Sequence, residues 1–176
     1  MDEISDRAKK RHLSPDLERR YREEMSKVLT SDLMKEVEWV HGDPDFARLK
    51  SDYYDIWKNQ EGGHKKYSYF ALYDRLFAAY RNKGARMLEL GVYKGASLKS
   101  WQAYLGEGSV VVGVDIDPEC KQYDAGSSGR YVRVGDQTDP AFLSQLSVEL
   151  GPFDIVLDDA SHKTDHQIAS FNHPFA

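Results

Sequence analysis

The side chains with the clearest chemical capacity fall in four short stretches of the second half of the chain, each at the end of an apolar run. The first is Glu89-Leu90-Gly91-Val92-Tyr93-Lys94-Gly95, a carboxylate followed by a glycine turn. A helical pattern comes next, so the first N–H groups of that helix face whatever ligand lies above the turn. Asp115 closes the run Val110–Ile116, where a carboxylate can accept hydrogen bonds from the two hydroxyls of a ribose. Gly135-Asp136-Gln137-Thr138-Asp139 follows Tyr131–Val134. There Asp136 can accept from an exocyclic amine and the Gln137 N–H can donate to a ring nitrogen, while Asp139 reads as a helix cap. The fourth is Asp158-Asp159-Ala160-Ser161-His162. Paired aspartates suit a hard cation such as Mg²⁺, and a histidine nearby suits a general base.

The turn narrows the ligand. It is not G-x-G-x-x-G, and no Gly-Lys-Ser/Thr follows, so dinucleotide and P-loop readings both weaken. Glu89 repels a phosphate and favours an ammonium. A ligand that combines ribose, adenine and an amino-acid ammonium is S-adenosylmethionine. Methyl transfer to an alcohol displaces a thioether from a cationic sulfur, and the alcohol must lose its proton. A metal that acidifies the hydroxyl and a histidine that takes the proton form a coherent pair.

These residues need a scaffold that brings strand ends together. Arg86–Leu90, Val110–Ile116, Tyr131–Val134 and Phe153–Asp158 are short apolar or β-branched runs, as expected of strands buried on both faces. One helix follows Gly95, with Leu98, Trp101, Tyr104 and Leu105 on one stripe. Another runs from Asp139-Pro140 to Gly151, and the segment after Pro118 carries only a weak helix signal. Before the first strand, Tyr69, Leu72, Tyr73, Leu76 and Tyr80 mark an amphipathic helix ending near Gly84. Thr164-x-x-Gln167 reads as a capping box opening a last helix. Strands alternating with helices predict an α/β fold with a Rossmann-like parallel sheet. Ahead of it, Ser14-Pro15-Asp16 and Thr30-Ser31-Asp32 each start a helix. The expected division is an N-terminal helical appendage, 1–58, and a ligand-binding domain, 59–176.

Bulk properties remove other classes. The chain has 176 residues and a net charge of −5, which does not match the basic face of a nucleic-acid binder. No run approaches the roughly 20 apolar residues of a membrane span, and the charged N-terminus lacks a secretory h-region. The single cysteine, Cys120, forms no intrachain disulfide and reads as a semi-buried thiol. A cytoplasmic setting fits these features. His64 is either a second ligand contact or a loop residue, and His166 reads as exposed.

Taken in order, Glu89-Leu-Gly-Val-Tyr-Lys-Gly-Ala-Ser97, Trp101, Gly113-Val-Asp115, Gly135-Asp136-Gln137-Thr-Asp139 and Asp158-Asp159-Ala-Ser-His162 resemble the class I S-adenosylmethionine-dependent methyltransferases. Within them they look like the metal-dependent sugar O-methyltransferases of macrolide biosynthesis. The resemblance covers about residues 60–176. It implies that Glu89, the Gly91, Gly95 and Ser97 turn, Asp115, Asp136, Gln137 and Asp159 hold the cofactor. It also implies Asp159 as a Mg²⁺ ligand, His162 as proton acceptor and a glycosylated natural product as substrate. Two departures stand out. Asn59-Gln60-Glu61-Gly62-Gly63-His64 replaces a Thr-Asp-Lys-Gly-like loop, and the sequence stops before a fifth strand whose Glu-Asp pair completes the metal set. The expectation is a C-terminally truncated enzyme, inactive by itself, whose open fourth strand drives homo-oligomer formation. Two alternatives stay open: a non-catalytic self-associating module, and an NAD-type oxidoreductase.

Overall fold

The computed structural model describes residues 51–63, 65, 68–173 and 175. The two N-terminal helices expected from the sequence, and His64, lie outside them. The described residues belong to one compact unit, Ala47–Ala176.

The chain runs α1 (Asp52–Trp57), α2 (Ser68–Phe77) with a 3₁₀ turn Ala78–Tyr80, β1 (Arg86–Leu90), α3 (Ala96–Leu105) and β2 (Val110–Asp115). Two 3₁₀ segments, Pro118–Tyr123 and Gly126–Ser128, lead to β3 (Arg130–Val134). Then come α4 (Pro140–Leu150), β4 (Ile155–Asp158) and α5 (Thr164–Phe171). The sheet order is β3-β2-β1-β4 and every pairing is parallel. The strands match the expected runs to within two residues. Burial on both faces holds for β1 and β2, while β3 and β4, at the sheet edges, are partly open.

Alternation along β1 sorts its side chains between two cores, because successive residues of a strand point to opposite faces. Leu88 and Leu90 meet Leu143, Leu146 and Leu150 of α4. Met87 faces the other way, into a cluster with Tyr53, Phe70, Tyr73 and Trp101 from α1, α2 and α3. Tyr53 packs over Trp101 with its ring tilted by 31° and centroids 3.9 Å apart, and meets Tyr104 edge-on at 5.5 Å. Such pairs add about 0.5–1.5 kcal/mol each beyond the burial of their area. This packing places α1 in the sheet domain, although its sequence had grouped it with the N-terminal appendage.

Helix starts follow the sequence in one case and depart from it in another. Asp139 caps α4, accepting from the Ala141 and Phe142 N–H groups, with Pro140 at the first turn. The capping box at Thr164 does not form. Lys163 is the N-cap of α5 and makes no side-chain cap bond, and Thr164 is already helical. The weak helix after Pro118 is a 3₁₀ segment capped by Asp117. Among the described residues no helix is long and apolar enough to cross a membrane.

Candidate functional site

The carboxyl ends of all four strands open on one crevice of about 1030 Å³. Ligands of open α/β sheets bind at this edge, and the volume is at the upper end for a small-molecule site. Each strand end is tied to its neighbour. The Gly91 N–H donates to the Val114 carbonyl, the Gly135 N–H to Asp115 and the Asp159 N–H to Leu90.

The wall after β1 is fixed through Asp115. One carboxylate oxygen accepts the Val92 and Tyr93 N–H groups at 2.8 and 3.0 Å, and the other accepts the Asp117 N–H at 3.0 Å. Burial opposes its charge, yet the bonds from Asp117, Tyr93 and Val92 outweigh this and hold the carboxyl below its ordinary range. Asp115 also lines the crevice, so it remains available to a ribose. Gly91 has φ +99°, and a β-carbon there would lie 2.5 Å from the Asp159 carbonyl oxygen. Its role is to let the first and fourth strand ends approach each other. Gly95 is the left-handed N-cap of α3, whose first turn, Ala96 and Ser97, borders the crevice.

At the end of β3, Asp136 is exposed on the rim. One of its oxygens takes the Thr138 N–H and hydroxyl, both at 2.8 Å, which lowers its pKa. Gln137 reaches the crevice, but its side chain is a brace. It donates to Asp158 and to the Ser170 hydroxyl, each at 2.9 Å, and accepts from the Ser161 N–H. Any ligand contact from Gln137 therefore falls to its backbone. This brace also takes Asp158 away from the crevice.

Glu89 is not where the sequence reading put it. Its alternation follows Met87, so it points into the aromatic face and is fully buried. Ser97 Oγ donates to it at 2.5 Å, Trp101 Nε1 at 3.4 Å and Lys65 Nζ at 3.5 Å. Burial pushes its carboxyl up, against the pull of Lys65 and the bonds from Ser97 and Trp101. Glu89 supports the floor and does not line the crevice.

Lys65 is a residue of the site that the sequence reading missed. Its ammonium sits 2.6 Å from Asp159 Oδ2, and its side chain is 3% exposed. Although burial works against the charge, Glu89, Tyr73 and Asp159 together hold it above the usual lysine range. The other Asp159 oxygen is 3.8 Å from His162 Nε2. His162 stands at the crevice with a 70% exposed side chain and φ +54°, a left-handed backbone that non-glycine residues rarely take. Strain of that kind concentrates at working sites. His166, expected to be exposed, is half-buried and lines the same wall. Cys120 donates to the Tyr93 carbonyl, and burial beside Asp115 pushes its thiol up to about 12, which makes it no nucleophile.

The donors fit a nucleoside cofactor: an acceptor at the end of β2, another at the end of β3, and a helix N-terminus between them. They do not by themselves form a metal centre. Asp158 is braced, Asp159 is paired to Lys65, and among the described residues no three His, Cys, Asp or Glu side chains converge as a ligand set.

A parallel β3-β2-β1-β4 sheet with this glycine turn and these strand-end acids is a Rossmann-like class I methyltransferase fold. The proteins it resembles include O-methyltransferases of macrolide and other natural-product pathways. Demethylmacrocin O-methyltransferase of Streptomyces fradiae is 37% identical over 107 residues, 57% of this chain and 26% of that protein. The 8-demethyl-8-(2-methoxy-alpha-L-rhamnosyl)-tetracenomycin-C 3'-O-methyltransferase of Streptomyces olivaceus is 35% identical over 132 residues, 71% of this chain and 30% of that one. The MycE methyltransferase from the mycinamycin biosynthetic pathway, solved in complex with Mg, SAH and mycinamycin VI, superposes with a TM-score of 0.58 at 33% identity. That match covers 74% of this chain and 33% of the solved one. The chain thus spans about a quarter to a third of the length of the proteins it matches. No family model matches it.

Proposed function

We propose that this chain forms the cofactor-binding part of an S-adenosylmethionine-dependent O-methyltransferase acting on a sugar hydroxyl of a natural product. The observation that carries this reading is the convergence of the Asp115-braced turn, Asp136 and His162 on one crevice. The cofactor supplies a methyl group on a cationic sulfur, which leaves as a neutral thioether when the acceptor oxygen takes the methyl. Asp115 holds the ribose hydroxyls, Asp136 the adenine amine, and the first turn of α3 the aminoacyl carboxylate. His162 accepts the proton of the attacking hydroxyl, an interaction worth about 10²–10⁴-fold in rate. The solved relative holds Mg, and Asp159 is the residue here that would contribute to such a set. Since Lys65 occupies it, no step is assigned to a metal. A cytoplasmic setting and self-association belong to the same reading.

The test is calorimetry of the full chain with S-adenosylhomocysteine and with NAD. Binding of the first alone, weakened at least tenfold in Asp115→Asn, is expected. Tighter binding of NAD would overturn the proposal.

A further inference from the structure

We propose that Lys65 is a resident cation that competes with a divalent metal for Asp159, so that metal and the Lys65–Asp159 ion pair exclude each other. This deepens the reading above, in which Asp159 is a metal donor. The observations are the 2.6 Å approach of Lys65 Nζ to Asp159 Oδ2, its 3.5 Å approach to Glu89, and the near-complete burial of the lysine side chain. A magnesium or manganese ion binds carboxylate oxygens at about 2.0–2.2 Å. An ion on Asp159 Oδ2 would then lie within about 5 Å of the ammonium. Two carboxylates and one ammonium leave this cluster with one net negative charge. A divalent ion added without removing the ammonium would make it net positive beside the buried Lys65 and Glu89 side chains, where charge is expensive. The lysine also presents its charge across the Tyr73 ring, 5.4 Å from the centroid, a second contact that favours the seated state. Lys65 is therefore a positioning residue: it holds the Asp159 carboxylate in place until a stronger cation displaces it.

The test is Mn²⁺ titration of the full chain, followed by electron paramagnetic resonance without cofactor. Lys65→Met is expected to bind Mn²⁺ at least tenfold more tightly than the unmodified chain. Lys65→Arg, which keeps the charge, should stay within about twofold. The gain should vanish in Lys65→Met with Asp159→Asn. Should Lys65→Met fail to fold by circular dichroism, the pair Lys65→Met with Glu89→Gln removes the stranded buried charge and carries the same comparison. Equal or weaker Mn²⁺ binding by the methionine variant, or an equal gain in the arginine variant, overturns the proposal. Because no cofactor is present, either result is independent of whether S-adenosylhomocysteine binds.

Discussion

At the end of β1 the turn Val92-Tyr93 hangs three backbone N–H bonds, with that of Asp117, on the single carboxylate of Asp115. At the end of β4 the corresponding turn has an edge strand behind it, a half-exposed Asp159 shared between Lys65 and His162, and a left-handed histidine. The first wall is fixed by backbone N–H groups bonded to one carboxylate. The second is held by side-chain charges that a ligand or metal can rearrange. Pre-organised donors suit binding, because they cost no ordering when the ligand arrives. A wall held by side-chain charges suits a step in which protons and cations change places.

The strongest way to break this contrast is to cut the support the two walls share. Glu89→Ala takes one of two carboxylates from the buried Lys65 ammonium, which keeps Asp159, and leaves Trp101 Nε1 and Ser97 Oγ without their acceptor. The expected loss is about 3–5 kcal/mol, the usual cost of breaking a buried ion pair. Urea denaturation should show an earlier midpoint at an unchanged slope. A smaller effect follows at the fixed wall. Asp115→Asn keeps one acceptor but turns an amide N–H toward a backbone N–H, with an expected loss of about 1–2 kcal/mol in this solvent-accessible position. The sign of its pH dependence is set by the lowered pKa. The Asp115 contribution is present above its ordinary value of 3.8 and is lost as pH falls through the lower folded value. Unfolding measured at pH 7 and in acid should therefore show the gap between variant and parent closing below about pH 4. The smallest change is expected at the strained wall, and with the opposite sign. His162→Gly removes a side chain from a left-handed backbone and should raise stability by about 1 kcal/mol. A thermal melt in which His162→Gly is clearly destabilised would mean that the histidine is structurally anchored, and the contrast between the walls would fail.

Much of the scaffold was legible because burial and periodicity are local signals. Val110–Val114 is apolar throughout since both faces of the strand are covered, and Asp139-Pro140 announces a helix by its cap chemistry. The segment 52–57 was unreadable as part of the sheet domain because its anchor, Tyr53, is defined by Trp101 and Tyr104, which are distant in sequence. The capping box at Thr164 lost to a chain path that starts the helix one residue earlier than Thr164 could cap it. At the site, Asp115 and His162 could be placed because strand ends face the crevice. Lys65 could not, since its partners lie 24 and 94 residues away. One signal was available and unused. Leu88 and Leu90 bracket Glu89, so strand alternation already says that the acid points away from their face.

That alternation has a consequence for how the sheet finds its pairing. A slip of β1 by one residue would carry Glu89 over to the leucine face, among Leu143, Leu146 and Leu150, with no lysine, indole or hydroxyl to meet it. It would also press Leu88 against the Ser97 hydroxyl and the Lys65 ammonium. An error that costs an apolar strand only imperfect packing would here bury a bare charge. The acid beneath the crevice thus acts as a register mark during folding: the strand that carries it has one frame in which its charge is answered.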